Sequence, residues 1–331
     1  MKENWQPDNE AKACGACMTP FNLIIRKHHC RACGKIFCND CCNFYTLPPD
    51  KHNMEDITRY CEECFINYRS SLNFNATFDV IGPEEGPAAI LVHGGSTCRA
   101  MWSYHVKEWS KYMRCYCIDL PGHGSLMHQK LSMDAAVDYI IKFVTDTIPQ
   151  KPVLYIGGSL GGYIGMEVIG KRSDLFYAAV IADAGQNVGK DASLAAKVGL
   201  TLMELMSSMS NDTLLKFLMA QCKTVDQEVL ENTAIRPGMY FNSASDQVAV
   251  LEKSNPFVSL PKFQGPIMFA NGTMDHRDSE AVWQALSKNA KLKLYHGDHF
   301  FLSDKVNFPL FVEDVLQFAR DIGFLKEPSE N

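Results

Sequence analysis

No run of 18 consecutive apolar residues occurs in this chain of 331 residues, so nothing in it reads as a membrane-spanning helix. The stretch from Met1 to Asn9 is polar and acidic, and it lacks the basic-then-apolar order of a secretory leader. Long basic tracts are missing too. With 38 acidic residues against 32 basic ones the formal net charge is -6, which argues against wholesale nucleic-acid binding. There is no internal repeat and no low-complexity tract. The 46% hydrophobic fraction excludes a disordered chain and the length suggests two domains, so a soluble, unexported protein is expected.

What the sequence has in excess is cysteine, and its placement is uneven. Nine of the 13 cysteines fall within the first 64 residues, and eight of these form the Cys-x-x-Cys pairs Cys14/Cys17, Cys30/Cys33, Cys38/Cys41 and Cys61/Cys64. A disulfide framework requires an oxidising compartment, whereas thiolates two residues apart suit tetrahedral zinc in a reducing one. Eight ligands make two closed, structural Zn2+ sites with no open position for water. A segment this short with few aliphatic residues draws most of its folding free energy from the metals, and it is expected to unfold under chelation. Because the catalytic motifs described below lie well downstream, the two halves are expected to melt separately. Cys42, Cys98, Cys115, Cys117 and Cys222 read as ordinary core or surface thiols.

Between the second and third cysteines an apolar stretch, Phe21 to Ile25, abuts the cationic run Arg26-Lys27-His28-His29-Cys30-Arg31. Side chains of that run, pinned by a metal ligand, offer a compact pocket for a multiply charged anion such as a phosphorylated head group. A solvated basic strand is the plainer alternative. Together with Trp5-x-x-Asp8 and Arg59-Tyr60-Cys61, the run resembles the FYVE zinc finger over residues 5 to about 66; Tyr60 stands where that family usually has valine. The resemblance implies a cross-brace with Cys14, Cys17, Cys38 and Cys41 on one zinc and Cys30, Cys33, Cys61 and Cys64 on the other. It further implies recognition of phosphatidylinositol 3-phosphate by Asp8, Arg26, Lys27, His28, His29, Arg31 and Arg59, with Leu23 and Ile24 entering the bilayer. A cross-braced ubiquitin-ligase finger is the runner-up, but it usually has a histidine ligand and lacks the basic run.

After a connector over 69–75 the composition changes to short apolar runs separated by amphipathic patterns. The runs are Ala88 to Val92, Cys115 to Asp119, Val153 to Ile156, Ala178 to Ala182, Pro266 to Ala270 and Leu292 to Tyr295. Such alternation predicts an α/β domain, a doubly wound and mostly parallel sheet with its chemistry at the carboxyl ends of the strands. Gly157-Gly158-Ser159-Leu160-Gly161 follows the third run and fits a nucleophile elbow. His93-Gly94-Gly95 follows the first, and the N–H groups of Gly95 and Leu160 are the natural oxyanion pair. Asp275 follows the 266–270 run and His299 follows the last one. Chain order Ser, Asp, His and the loop Asp119 to Gly124 resemble the α/β-hydrolase family over about 76 to 325.

By that resemblance Ser159 attacks an acyl carbon, His299 is the base, and Asp275 orients it. Rivals for the acid are Asp183, Asp278 and Asp298, and for the base His296 and His276; His93 and His123 are read as structural. Only 76–82 are available for strands ahead of the oxyanion loop, so one sheet edge is expected to be trimmed. Residues 184–261 form a helical insertion rich in leucine and methionine, including Leu200, Met203, Met206, Met209, Leu214 and Leu218, read either as core packing or as a lid for an acyl chain. The organisation expected is a finger over 1–68, the connector, and a hydrolase domain over 76–327 with 184–261 as its cap. The function expected is that of a serine hydrolase for a carboxylic ester, peripheral on endosomal membranes. A phosphoinositide-binding adaptor with an inactive hydrolase fold, and a tethered small-molecule esterase or thioesterase, remain alternatives; a homodimer is compatible with either.

Overall fold

The protein is described from a computed structural model covering residues 5–74, 76–207, 209–222 and 225–326. The expected domain limits at 1, 75 and 327 therefore lie outside the described residues. The amino-terminal part contains strands β1 (His28–His29), β2 (Ile36–Phe37), β3 (Phe44–Thr46) and β4 (Thr58–Tyr60), followed by helix α1 (Glu62–Ser71). Next come β5 (Phe78–Ile81), β6 (Ala88–Val92), α2 (Ser103–Trp109), β7 (Arg114–Ile118), α3 (Met133–Thr147), β8 (Val153–Gly158), α4 (Leu160–Lys171) and β9 (Phe176–Ala182). An insertion carries α5 (Leu194–Ser207), α6 (Asn211–Gln221), α7 (Gln227–Leu230), β10 (Met239–Tyr240), α8 (Ala244–Lys253) and α9 (Pro256–Ser259). The chain then completes the sheet with β11 (Pro266–Gly272), α10 (Glu280–Leu286), β12 (Asn289–Tyr295) and α11 (Asn307–Asp321).

The large sheet has seven strands in the order β12-β11-β9-β8-β6-β7-β5, all parallel except β5, which runs antiparallel to β7. Among the described residues of this sheet only the short β5 precedes β6, so the edge is trimmed as the sequence suggested. Every residue of β6 and β8 is buried, because helices cover both faces. Alternation sorts their side chains: Ile90 and Val92 join α3 and α4 in one core, while Ala89 and Leu91 join Trp102, Trp109 and the α11 residues Phe311 and Val315 in the other. Helix α3 starts at Ser132, whose hydroxyl accepts from the Ala135 N–H at 3.2 Å, and its buried residues at 133, 136, 137, 140 and 144 line one face.

The two halves share a small sheet. β10, from the insertion, pairs antiparallel with β3 and makes a three-stranded sheet, β10-β3-β4, that spans both halves. Phe44 stacks between Phe65 and Tyr240 at centroid distances of 4.8 and 5.1 Å. The approach depends on Gly238, at φ +92, where any side chain would be driven into the Phe65 ring. Leu214, Leu215, Leu218 and Met219 of α6 pack with Tyr45, Leu47, Met54 and Ile57 of the finger. Much of the apolar face of α6 is therefore turned to the finger. Leu194, Val198, Leu202, Met203, Leu205 and Met209 are exposed, while Leu200 is buried.

Candidate functional site

At the end of β8 the chain turns sharply into α4, and Ser159 sits at the turn with φ +51 and ψ -117. A serine is strained there, and the strain lifts its hydroxyl away from the sheet. The turn packs tightly: a side chain at Gly161 would collide with the carbonyls of Val92 and His93. Ser159 Oγ lies 2.9 Å from His299 Nε2, and His299 Nδ1 lies 2.8 Å from Asp275 Oδ2. Three side chains from three loops, separated by up to 140 residues of chain, thus form one hydrogen-bonded line. Asp275 is further oriented by the His276 N–H, which donates to Oδ1 at 2.7 Å. Among the rivals, Asp278, His276 and His296 face solvent, and Asp298 accepts from the Phe300 N–H at 2.8 Å.

Asp183 is the rival that lies close by. It follows β9 with φ +51, is buried, and gathers with Asp275 and His299 so that one ligating atom from each falls within 4.8 Å of the others. Its Oδ1 has no hydrogen-bond partner, and burial holds its carboxyl well above the usual carboxylate range. His299 is lifted to about 9: desolvation pulls it down, but the hydrogen bond to Asp275 and the charges of Asp183, Asp275 and Asp298 outweigh that. The hydrogen bond to Asp275 is the largest of the contributions that raise it.

The loop after β6 passes against the nucleophile, and a methyl built on Gly94 would lie 3.4 Å from Ser159 Cβ. Gly95 is pressed on its other side by Gln247 of α8, which also exchanges hydrogen bonds with Ser96 at 3.2 to 3.4 Å. The Leu160 N–H is at the first position of α4, where the helix dipole favours a developing oxyanion. His93 Nδ1 donates to the Gly94 carbonyl at 2.7 Å and its Nε2 accepts from the Leu120 N–H at 3.0 Å, so it is a neutral brace between the two loops. Beneath them Asp119 is fully buried and accepts from Arg99 Nη1, the Arg99 N–H and the Ser125 N–H at 2.7 to 2.8 Å. Gln247 and Arg99 carry no motif and were not singled out by sequence; their partners come from distant elements.

In the finger, the sulfur atoms of Cys14, Cys17, Cys38 and Cys41 form one group and those of Cys30, Cys33, Cys61 and Cys64 a second, each with all atoms within 4.8 Å of one another. Sulfurs at Zn–S distances of about 2.3 Å in a tetrahedron stand about 3.8 Å apart. The Cys17–Cys38 separation of 3.7 Å and the Cys33–Cys61 separation of 4.0 Å match that spacing. Both sets fit structural Zn2+ with the sulfurs as thiolates. Leu23 and Ile24 are 91% and 89% exposed, on a tip held by Asn22, whose Oδ1 accepts from the N–H groups of Ile24 and Ile25 at 2.8 Å.

The basic run borders two cavities. Asp8, Arg26 and Lys27 line a cavity of about 650 Å³, whereas His28, Arg31 and Arg59 line a second of about 230 Å³. His29 stacks on Trp5 at 4.5 Å and its Nε2 lies 2.8 Å from the Gln6 carbonyl. Burial, with Arg59 and Arg31 nearby, pushes His28 down to about 4, so it is neutral at physiological pH. Arg59 is buried and engaged by the insertion through Asp212, at 2.8 Å.

A seven-stranded, mostly parallel sheet with a serine elbow and a Ser-His-Asp line defines a hydrolase-fold domain, here preceded by a two-zinc finger. The FYVE zinc finger family model matches residues 4–70, and the alpha/beta hydrolase family model matches 89–305. The chain belongs to the alpha/beta hydrolase family. A hydrolase from Pseudomonas aeruginosa PA01 superposes with a TM-score of 0.60 at 18% identity, covering 73% of this chain and 92% of its own. A thermophilic esterase from Thermogutta terrifontis gives 0.60 at 16%, covering 74% and 93%. An enol-lactonase from Burkholderia xenovorans LB400 gives 0.54 at 16%, covering 73% and 95%. At these identities the likeness is one of fold. Among curated proteins, a probable inactive serine/threonine-protein kinase, slob1, from Dictyostelium discoideum is 43% identical over 76 residues, or 23% of this chain and 13% of the relative. Lateral signaling target protein 2 from Caenorhabditis elegans is 40% identical over 76 residues, or 23% and 11%. The chain spans only about a tenth of the length of these relatives. Among the described residues no helix is long and apolar enough to cross a membrane.

Proposed function

We propose that the protein is a serine hydrolase of carboxylic esters, with a lipid ester as the favoured substrate, held on endosomal membranes by phosphatidylinositol 3-phosphate. The domains assigned are a finger over 1–68, a connector over 69–75 and a hydrolase over 76–327, with 184–261 as the cap. The observation that carries the catalytic part is the unbroken line from Ser159 Oγ through His299 to Asp275, at 2.9 and 2.8 Å, on a strained strand-to-helix turn. His299 Nε2 takes the Oγ proton as Ser159 attacks the acyl carbon. The developing oxyanion is met by the N–H groups of Gly95 and Leu160. His299 then returns the proton to the leaving alkoxide and activates the water that releases the acid, while Asp275 holds Nδ1–H and stabilises the imidazolium.

The membrane part rests on the exposed pair Leu23 and Ile24 just ahead of Arg26 and Lys27, where cations meet anionic lipid and the apolar tip enters the acyl boundary. A serine-directed phosphonate probe on the zinc-loaded protein, followed by a series of esters of increasing chain length, tests the proposal. Labelling lost in Ser159→Ala, with turnover rising toward long-chain esters, is the expected outcome. No labelling of the native protein would leave a phosphoinositide-binding adaptor. Labelling with preference for short esters would leave a tethered small-molecule esterase.

A further inference from the structure

The 230 Å³ cavity is bounded by two domains. His28, Arg31, Tyr45 and Arg59 come from the finger, and Asp212 and Lys216, one helical turn apart on α6, come from the cap. Arg59 is held from below by the finger itself, donating Nη1 to the Cys42 carbonyl at 2.8 Å and to Asn39 Oδ1 at 3.2 Å. Its other arm, Nη2, donates to Tyr45 Oη at 2.6 Å and to Asp212 Oδ2 at 2.8 Å, while Tyr45 Oη donates to Asp212 Oδ1 at 3.0 Å. The Arg59 side chain is 5% exposed, but that of Asp212 is 55% exposed. A fixed guanidinium therefore meets a carboxylate that solvent reaches from the opposite side, an arrangement in which the partner is exchangeable and the cation is not.

We propose that the Asp212 carboxylate occupies on Arg59 the place that a phosphate monoester takes, so that anion binding and seating of the cap compete. The competition rests on the phosphoinositide reading given above and adds its regulation. A phosphate dianion brings more charge and more acceptor oxygens to Arg59 and Arg31 than one carboxylate. Asp212 is at the start of α6, whose apolar residues hold the cap on the finger, so its release loosens that seam. By reciprocity, whatever weakens the Arg59 to Asp212 contact tightens phosphate binding by the same factor.

The test uses the full-length, zinc-loaded protein and its Asp212→Asn variant, which keeps the side-chain shape but removes the charge. Binding is measured to phosphatidylcholine vesicles with and without phosphatidylinositol 3-phosphate, to the soluble inositol 1,3-bisphosphate head group, and to inorganic phosphate. Asp212→Asn is expected to tighten head-group binding at least about fivefold. In the native protein the head group is expected to speed amide exchange over 211–221. A gain confined to the two inositide probes assigns the lipid; a gain on inorganic phosphate as well assigns phosphate chemistry in general. Native binding with no change in Asp212→Asn and no change in α6 exchange overturns the competition while leaving the finger's role intact. No binding by either protein overturns the phosphoinositide reading and the competition with it.

Discussion

Asp183 and Asp275 are two carboxyls beside one imidazole, and their surroundings separate them. Asp275 accepts the His299 hydrogen bond, whereas Asp183 is buried, lacks a partner on Oδ1 and is shifted by burial toward its neutral form. Asp275→Asn is therefore expected to lower kcat by several orders of magnitude and to move the acid limb of the pH profile downward, because the imidazolium loses its acceptor. Asp183→Asn leaves the hydrogen bond between His299 and Asp275 in place and is expected to lower the rate far less than Asp275→Asn. In the native protein the limb should lie above the ordinary imidazole value of about 6.5, with activity rising with pH as His299 loses its proton. Rate collapse in Asp183→Asn with retention in Asp275→Asn would transfer the acid role to β9. Stability carries a second sign. A carboxyl raised in the folded state contributes fully below its unfolded value of about 3.9 and loses that contribution as pH rises toward its folded value, so native stability should fall from pH 4 upward more steeply than that of Asp183→Asn in urea titrations.

At the scale of elements, the strand-helix alternation and the turn chemistry at Ser159 were legible because both leave local patterns: β6 and β8 are continuous apolar runs, and the elbow is fixed by its glycines. The paired cysteines were legible for the same reason. β10 was not. It is two residues long, has no periodicity of its own, and exists because Gly238 lets it reach β3 across nearly 200 residues of chain. The contact of Arg59 with Asp212 spans 153 residues, and no spacing rule reaches so far. Gly238→Val should force β10 away from Phe65 and destabilise the seam by about 1–3 kcal/mol, seen as lost amide protection at 239–240 with Ser159 still reactive toward the probe. Unchanged protection would mean that the seam does not depend on that approach. Leu23→Asp with Ile24→Asp should lower affinity for phosphatidylinositol 3-phosphate vesicles at least about tenfold, since two exposed apolar side chains leave the bilayer, while soluble head-group binding stays within about twofold. An equal loss in both assays would place the tip in the head-group site.

For the whole molecule, a finger folded around two zinc ions is stitched to the cap by β10 and by α6, while the Ser-His-Asp line is built on the ends of β8, β11 and β12 of the large sheet. Chelation should unfold the finger and raise exchange in α6 and β10, yet leave the seven-stranded sheet and probe labelling in place. The central claim concerns three side chains acting as one unit, and the most direct measurement is kcat on a soluble fluorogenic ester for the native protein, Ser159→Ala, His299→Ala and the double variant. Each single change should lower kcat by about 10⁴ to 10⁶, and the double variant should be scarcely slower than either. Full activity in either single variant, or losses that multiply in the double one, would contradict the account.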